Sequence, residues 1–228
     1  PEQRLASASA DNTVRVWDAS SDVCLRVLEG HMDGVLSVTA LGPPGEGQRL
    51  ASASWDTTVR VWDASSGVCL RVLEGHTDEV NSVTALGPPG EGQRLASASK
   101  DKTVRVWDAS SGVCLRVLEG HTGPVTSVTA LGPPGEGQRL ASASKDKTVR
   151  VWDASSGVCL RVLEGHTDTV WSVTALGDGR LASASQDNTV RVWDESSGDC
   201  LSTQGGGRRK YRKTKKARRN RRRQSRRN

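Results

Sequence analysis

The 228-residue sequence predicts an all-β protein built from stacked four-stranded antiparallel sheets. Three observations lead there. A near-identical segment recurs every 45 residues, marked by Trp-Asp at Trp17, Trp62, Trp107 and Trp152, with a last step of 41 residues to Trp193. Within it, short alternating or β-branched apolar runs are punctuated by Gly, Pro, Asp and Ser clusters, as strands and tight turns require. The segment carries no 3.6-residue apolar period. The aromatic content, seven Trp and one Tyr with no Phe, is the same repetition seen in composition.

The unit from Gly75 to Glu119 shows the elements in order. Val80 to Leu86 alternates and reads as a first strand, a. Gly87-Pro88-Pro89-Gly90-Glu91-Gly92 then interrupts the ladder, because proline has no N–H to donate. Arg94 to Ser99 is strand b, and Lys100-Asp101-Lys102 is a tight turn. Thr103 to Trp107, rich in β-branched residues, is strand c. Asp108 to Gly112 turns again into strand d, Val113 to Leu118. Hairpin-length connections make neighbours antiparallel. One such sheet cannot bury both apolar faces, but stacked copies can.

Gly-His opens the units at His31, His76, His121 and His166, and Trp-Asp follows about 31 residues later with Ser-x-Asp between. With these motifs the chain resembles the WD-repeat (beta-transducin-like) β-propeller family over residues 2–203, at a unit length typical of a blade. The resemblance implies blades at about 35–73, 80–118, 125–163 and 170–203, preceded by a partial blade at 4–28 that supplies only b, c and d. That makes 19 strands, about five blades, and a partial or open propeller in residues 1–204. Three solutions to the open faces stand: a fragment of a longer propeller, a strained five-blade ring, or association of chains through the open edges. Pro1 in place of Met and the first unit's missing strand favour the fragment.

Residues 208–228 hold 14 of the 32 bases and none of the 26 acids, so the other 207 residues carry 18 bases against 26 acids, a net of −8. The basic character therefore belongs to a tail, 205–228, that begins with three glycines and has almost nothing apolar to bury; disorder is expected there. Arg208, Arg209, Lys210, Arg212, Lys213, Lys215, Lys216, Arg218 and Arg219 suit nucleic-acid binding or nuclear import. No apolar run reaches the ~18 residues of a membrane span. Cys24, Cys69, Cys114, Cys159 and Cys200 fall one per unit, with no Cys-x-x-Cys and no metal-ligand spacing. They read as small hydrophobes in a reducing compartment, cytoplasmic or nuclear, and no metal or cofactor is expected.

Some positions are constant among the units. They are the four His, the turn residues Asp56, Asp101, Asp146 and Asp187, a serine pair in each strand b, and Trp62, Trp107, Trp152 and Trp193. Ser, His and Asp together invite a catalytic reading. A reaction centre is needed once, however, and this set recurs in four consecutive copies, so no enzyme is expected. The resemblance implies a structural chain in which Asp pairs with His, His with a strand-b Ser, and Ser with the indole N–H; either serine of the pair could serve. Arg15, Arg60, Arg105, Arg150 and Arg191 read as lateral scaffold.

Against that constancy, four positions change. The third residue after His is Gly34, Glu79, Pro124 or Thr169. Two further on stand Leu36, Asn81, Thr126 and Trp171. Before the turn Asp come Trp55, Lys100, Lys145 and Gln186, with Ala10 in the first unit, and after it come Thr57, Lys102, Lys147 and Asn188, with Asn12. In the propeller layout the d–a and b–c loops share one face, so all of these map together. Two extra indoles and four lysines there suit an extended peptide with an apolar anchor and an acidic or phosphorylated segment. The leading expectation is a non-enzymatic scaffold that binds a protein or peptide on this face. The alternatives are a nucleic-acid or ribonucleoprotein-associated protein acting through the tail, and a regulatory propeller fragment of a larger multidomain protein.

Overall fold

The computed structural model describes residues 4–42, 48–87, 93–132 and 138–205. Among them, nineteen strands form five antiparallel sheets. Sheet 1 has three strands, β1 (Arg4–Ala8), β2 (Val14–Asp18) and β3 (Cys24–Leu28). Sheet 2 has four: β4 (Val35–Leu41), β5 (Arg49–Ser54), β6 (Val59–Asp63) and β7 (Cys69–Leu73). Sheet 3 is β8 (Val80–Leu86), β9 (Arg94–Ser99), β10 (Val104–Asp108) and β11 (Cys114–Leu118). Sheet 4 is β12 (Val125–Leu131), β13 (Arg139–Ser144), β14 (Val149–Asp153) and β15 (Cys159–Leu163). Sheet 5 is β16 (Val170–Gly177), β17 (Arg180–Ser185), β18 (Thr189–Asp194) and β19 (Cys200–Gly205). This is the open, about five-bladed all-β architecture expected from the sequence. Among the described residues no helix is long and apolar enough to cross a membrane.

The register is the same in every sheet. Leu of strand b lies opposite Trp of strand c, as in Leu50 with Trp62 and Leu95 with Trp107. Alternation then sends apolar side chains to both faces, and successive sheets close over them. Between sheets 2 and 3, Leu41, Ala51, Ala53, Val59, Val61 and Leu73 meet Val80, Val83, Leu95, Trp107 and Ala109. Equivalent residues form the next two interfaces and most of the first. Each buried indole removes roughly 200 Å² from water, worth up to about 5 kcal/mol at about 25 cal/mol per Å². The inner strands β4, β8, β12 and β16 are successive neighbours. Serines tie them laterally: Ser37, Ser82 and Ser127 Oγ accept from the Val83, Val128 and Val173 amides at 3.2, 3.3 and 3.4 Å.

The outward faces of the first and last sheets are uncovered among the described residues. Val190 is 42% exposed where Val149 is 0%, and Leu5 is 60% exposed where Leu50 is 3%. Sheet 5 departs from its sisters in two further ways. Strand β19 continues to Gly205, opposite Thr189, past the boundary expected near residue 203. The ladder needs only backbone, so it survives the change to Ser202-Thr203-Gln204. The short a–b connection is a hairpin around Asp178 and Gly179 with φ of 51° and 71°, both positive as a two-residue turn requires.

Candidate interaction face

The constant residues build the platform. His31 Nδ1 donates to Asp56 Oδ2 at 2.7 Å. Ser52 Oγ donates to His31 Nε2 at 2.8 Å and accepts from Trp62 Nε1 at 2.8 Å. The same chain runs through His76, Asp101, Ser97 and Trp107. It recurs at His121, Asp146, Ser142 and Trp152, and at His166, Asp187, Ser183 and Trp193. The second serine of each pair works elsewhere: Ser54 donates to the Asp33 carbonyl at 2.9 Å and accepts from the Asp56 amide at 3.0 Å. Asp56 also accepts from the Met32 amide and the Thr58 amide and hydroxyl. One carboxylate thus clamps the d–a loop onto the b–c turn.

Electrostatics agree with a fixed charge distribution. Desolvation pushes the Asp56 carboxyl up, but bonds from the Thr58 hydroxyl, the Met32 amide and the His31 ring outweigh it and hold it at about 2. Asp101, Asp146 and Asp187 are likewise held below the ordinary carboxylate range against desolvation by histidine and threonine hydrogen bonds. Burial pushes the His31 ring down, opposed by the Asp56 hydrogen bond and charge. The result is a neutral imidazole against a carboxylate. Ser52, Ser97 and Ser142 are 0% exposed. These hydroxyls are closed to a substrate and fully engaged.

The arginines explain the glycine of Gly-His. Arg60, Arg105, Arg150 and Arg191 each place Cζ 5.9 Å from the indole of their own strand. At Gly75, φ +146°, a Cβ would lie 2.7 Å from Arg105 Nη1. A backbone at φ +146° disfavours any side chain, and a Cβ there would also have to push the guanidinium aside. Sheet 1 has no such histidine, and its arginine differs: Arg15 Nη2 pairs with Asp11 Oδ2 at 3.0 Å.

On this platform the variable residues meet in pairs. The Trp55, Lys100, Lys145 and Gln186 amides donate to the Gly34, Glu79, Pro124 and Thr169 carbonyls at 2.9, 2.8, 2.9 and 2.8 Å. Side chains follow the backbone. A Cβ on Gly34 would lie 2.8 Å from Trp55 Cε3, so the glycine, buried beneath the ring, makes room for it. Glu79 Oε1 accepts from Lys100 Nζ at 3.0 Å, with Asp78 at 3.7 Å, and these partners raise the lysine's pKa, the Glu79 hydrogen bond most. The charge of Lys100 is therefore largely compensated by its two acidic neighbours.

Leu36, Asn81, Thr126 and Trp171 each occupy the register shift at the start of strand a. A bulge turns its extra residue out of the alternation. Asn81 Nδ2 donates to the Val125 carbonyl of the next sheet at 2.8 Å, and Thr126 Oγ1 to that of Val170 at 2.6 Å. Leu36 and Trp171 are instead 40% and 50% exposed. Lys145 Nζ lies 5.6 Å from the centroid of Trp171, across the boundary between sheets 4 and 5. Trp55 is 40% exposed. Thr57, Lys102, Lys147 and Asn188 occupy the left-handed region at φ 71°, 73°, 73° and 65°.

One feature of this face escaped the sequence reading. Met32, where the sisters have Thr77, Thr122 and Thr167, is 82% exposed beside the clamp. Comparing the residue directly after each His would have found it. Away from the face, Glu195 replaces the alanine seen at Ala154 and accepts from Arg139 Nη2 at 2.7 Å. Among the described residues no group of three or more His, Cys, Asp or Glu is placed to hold a metal. The tail residues from Arg208 to Arg219 lie outside the described residues.

A family model described as "WD domain, G-beta repeat" matches residues 2–18, 22–63, 67–108, 112–153 and 157–194. Among curated proteins, the chain is 60% identical over 35 residues to the WD repeat-containing protein pop1 of Schizosaccharomyces pombe, covering 15% of this chain and 4% of that protein. It is 47% identical over 34 residues to the nuclear distribution protein PAC1 of Coccidioides posadasii, covering 15% of this chain and 7% of that protein. The matched segments thus span less than a tenth of either relative.

Proposed function

The chain belongs to the WD domain, G-beta repeat family, whose repeats generally serve as scaffolds for interaction between proteins, and from that premise we propose that it is a non-enzymatic scaffold binding a peptide or protein on the face of the d–a and b–c loops. One observation supports this reading: in each four-stranded unit, two of the positions that change between otherwise near-identical copies are joined by a backbone hydrogen bond between the d–a loop and the b–c turn. At its most ligand-ready point, exposed Trp171 lies under Lys145, with Lys147 two residues on. An indole beside lysines that pair with no carboxylate among the described residues suits an extended segment with an apolar anchor and an acidic or phosphorylated stretch. The five cysteines are free thiols, which supports a cytoplasmic or nuclear setting.

Selection of peptides from a display library on the immobilised chain tests the proposal. Selected peptides should lose at least about tenfold in affinity on Trp171→Ala, about 1.4 kcal/mol, and little on Asp178→Ser in the hairpin at the other end of strand a. Equal loss from both, or from neither, refutes the assignment of the face. The 14 bases among residues 208–228 favour a second reading, nucleic-acid contact. Retention of RNA or DNA by residues 1–204 at unchanged salt sensitivity would refute that one.

A further inference from the structure

Asp-Gly occurs twice in the chain, at Asp33-Gly34 and Asp178-Gly179, and the two are built differently. In the loops leading into β4, β8 and β16 an aspartate stands two residues after the histidine. Its Oδ1 accepts from the amide of the next residue: Gly34 donates to Asp33 at 2.7 Å, Glu79 to Asp78 at 2.9 Å, and Thr169 to Asp168 at 2.7 Å. The fold thus holds an amide nitrogen against the carboxyl of the preceding side chain in each of these three loops. The loop into β12 has Gly123-Pro124, with neither the carboxyl nor the amide hydrogen. Among the described residues the Gly179 amide makes no such bond, and the Asp178 carboxylate lies instead 3.9 Å from Arg180 Nη2, almost fully in water.

Of the three held aspartates, Asp33 alone is followed by glycine, and the reason is packing. Gly34 is not among the glycines of positive φ, so its backbone could carry a side chain. A Cβ there would lie 2.8 Å from Trp55 Cε3 and 3.1 Å from Cζ3. The indole, not the backbone, demands the glycine. That demand has a chemical consequence. A five-membered ring closes when the nitrogen of the following residue attacks an aspartyl Cγ, and a side chain on that residue crowds the approach. Glu79 and Thr169 carry this hindrance and Gly34 does not. Asp33 is exposed, so water can leave the reacting carboxyl and return to it.

We infer that Asp33-Gly34 is a site of spontaneous rearrangement to isoaspartate, and hence a substrate for methyl transfer to the isoaspartyl carboxyl. Holding nitrogen and carboxyl together removes much of the entropic cost of their encounter. Gly34 N bonds to Asp33 Cγ, and the Cγ hydroxyl leaves as water with the amide proton; nothing is oxidised or reduced. Water then adds to the main-chain carbonyl carbon of Asp33 and breaks its bond to Gly34 N, so that the chain runs on through Cγ. The loop gains one backbone atom between points that are tied on both sides. The Asp33 and Gly34 carbonyls accept from Ser54 Oγ and from the Trp55 amide, both at 2.9 Å, and the Val35 amide donates to the Ser9 carbonyl at 3.0 Å. These ties must shift, and Trp55 with them. The chemistry belongs to the loop itself and stands apart from what the face binds.

Ageing the full chain near neutral pH, with and without concentrated urea, tests it. Isoaspartate is read by methyl transfer from labelled S-adenosylmethionine with an isoaspartyl methyltransferase, and placed by peptide mapping with electron-transfer fragmentation. In the folded chain the label at Asp33 should exceed that at Asp178, Asp78 and Asp168 by about fivefold or more, and in urea Asp33 and Asp178 should be labelled comparably. Gly34→Ala alone clashes with the indole, so it is made together with Trp55→Ala. The double variant should carry about fivefold less label at Asp33 than Trp55→Ala alone, because a methyl again crowds the nitrogen. No label at Asp33 in the folded chain, a ratio of Asp33 to Asp178 no greater folded than in urea, or equal labelling of the single and double variants would overturn the proposal.

Discussion

Replacing one strand-b serine by alanine should cost very different amounts in different sheets. Ser97 Oγ is the acceptor for Trp107 Nε1 and the donor to His76 Nε2, both at 2.8 Å, and Trp107 and His76 are 1% and 6% exposed. Ser97→Ala strands an indole N–H and an imidazole nitrogen where water does not reach. At about 1–3 kcal/mol for each unsatisfied group, the expected loss is about 3 kcal/mol. In sheet 1 the same change, Ser7→Ala, removes a partner from Trp17 alone, and Ser7 is exposed while Trp17 is only half-buried. Water replaces the hydroxyl there, and the loss should stay below about 1 kcal/mol. Urea unfolding followed by indole fluorescence reads both as midpoint shifts at constant slope. Equal destabilisation by the two substitutions, or a small effect at Ser97, would refute the claim that the buried chain from indole to carboxylate holds each sheet's loops.

Three more expectations follow from the same geometry. Thr57 is β-branched at φ 71°, where Asn12 and Asn188 stand in two of the equivalent positions, so Thr57→Asn should raise the unfolding free energy by about 1 kcal/mol, read as a higher urea midpoint. The Arg139–Glu195 pair is asymmetric, with side chains 36% and 7% exposed. Glu195→Ala should therefore cost under about 1 kcal/mol, because the arginine can turn to water, whereas Arg139→Met should cost about 2 kcal/mol by leaving a buried carboxylate alone; equal midpoints would contradict the burial argument. Stability should also fall in acid. The Asp56 carboxyl is lower in the folded state, at about 2, so its contribution is complete above its unfolded value near 4 and is lost as pH drops toward 2. His31, pushed down by burial, works in the same direction from about pH 6.5 downward. A midpoint that rises on acidification would show the pair to be charged otherwise.

Much of this was readable beforehand, for physical reasons. Trp-Asp and Gly-His mark a fully buried indole and a backbone held at φ near +145°, so they recur unchanged in the four-stranded units. Which serine of each pair joins histidine was not readable, because Ser52 and Ser54 are two apart and alternation sends both to one face. The lysines were visible, but not that Glu79 neutralises Lys100 while Lys145 covers Trp171, since the first partner is 21 residues away and the second belongs to another sheet. The bulges at Leu36, Asn81, Thr126 and Trp171 were equally hidden, since a one-residue slip leaves no compositional mark.

The common pairing pattern of the sheets has a consequence for how the chain reaches its native form. A strand b from one repeat finds a fitting strand c in every sister repeat, and a fitting strand a in each of the four-stranded ones. Side-chain fit therefore cannot tell correct threading from incorrect. What distinguishes them is connectivity, since short hairpins zip before distant segments meet. Dilution of the fully denatured polypeptide should populate mis-threaded traps, whereas emergence from the ribosome offers the repeats one after another and removes most competitors before they exist.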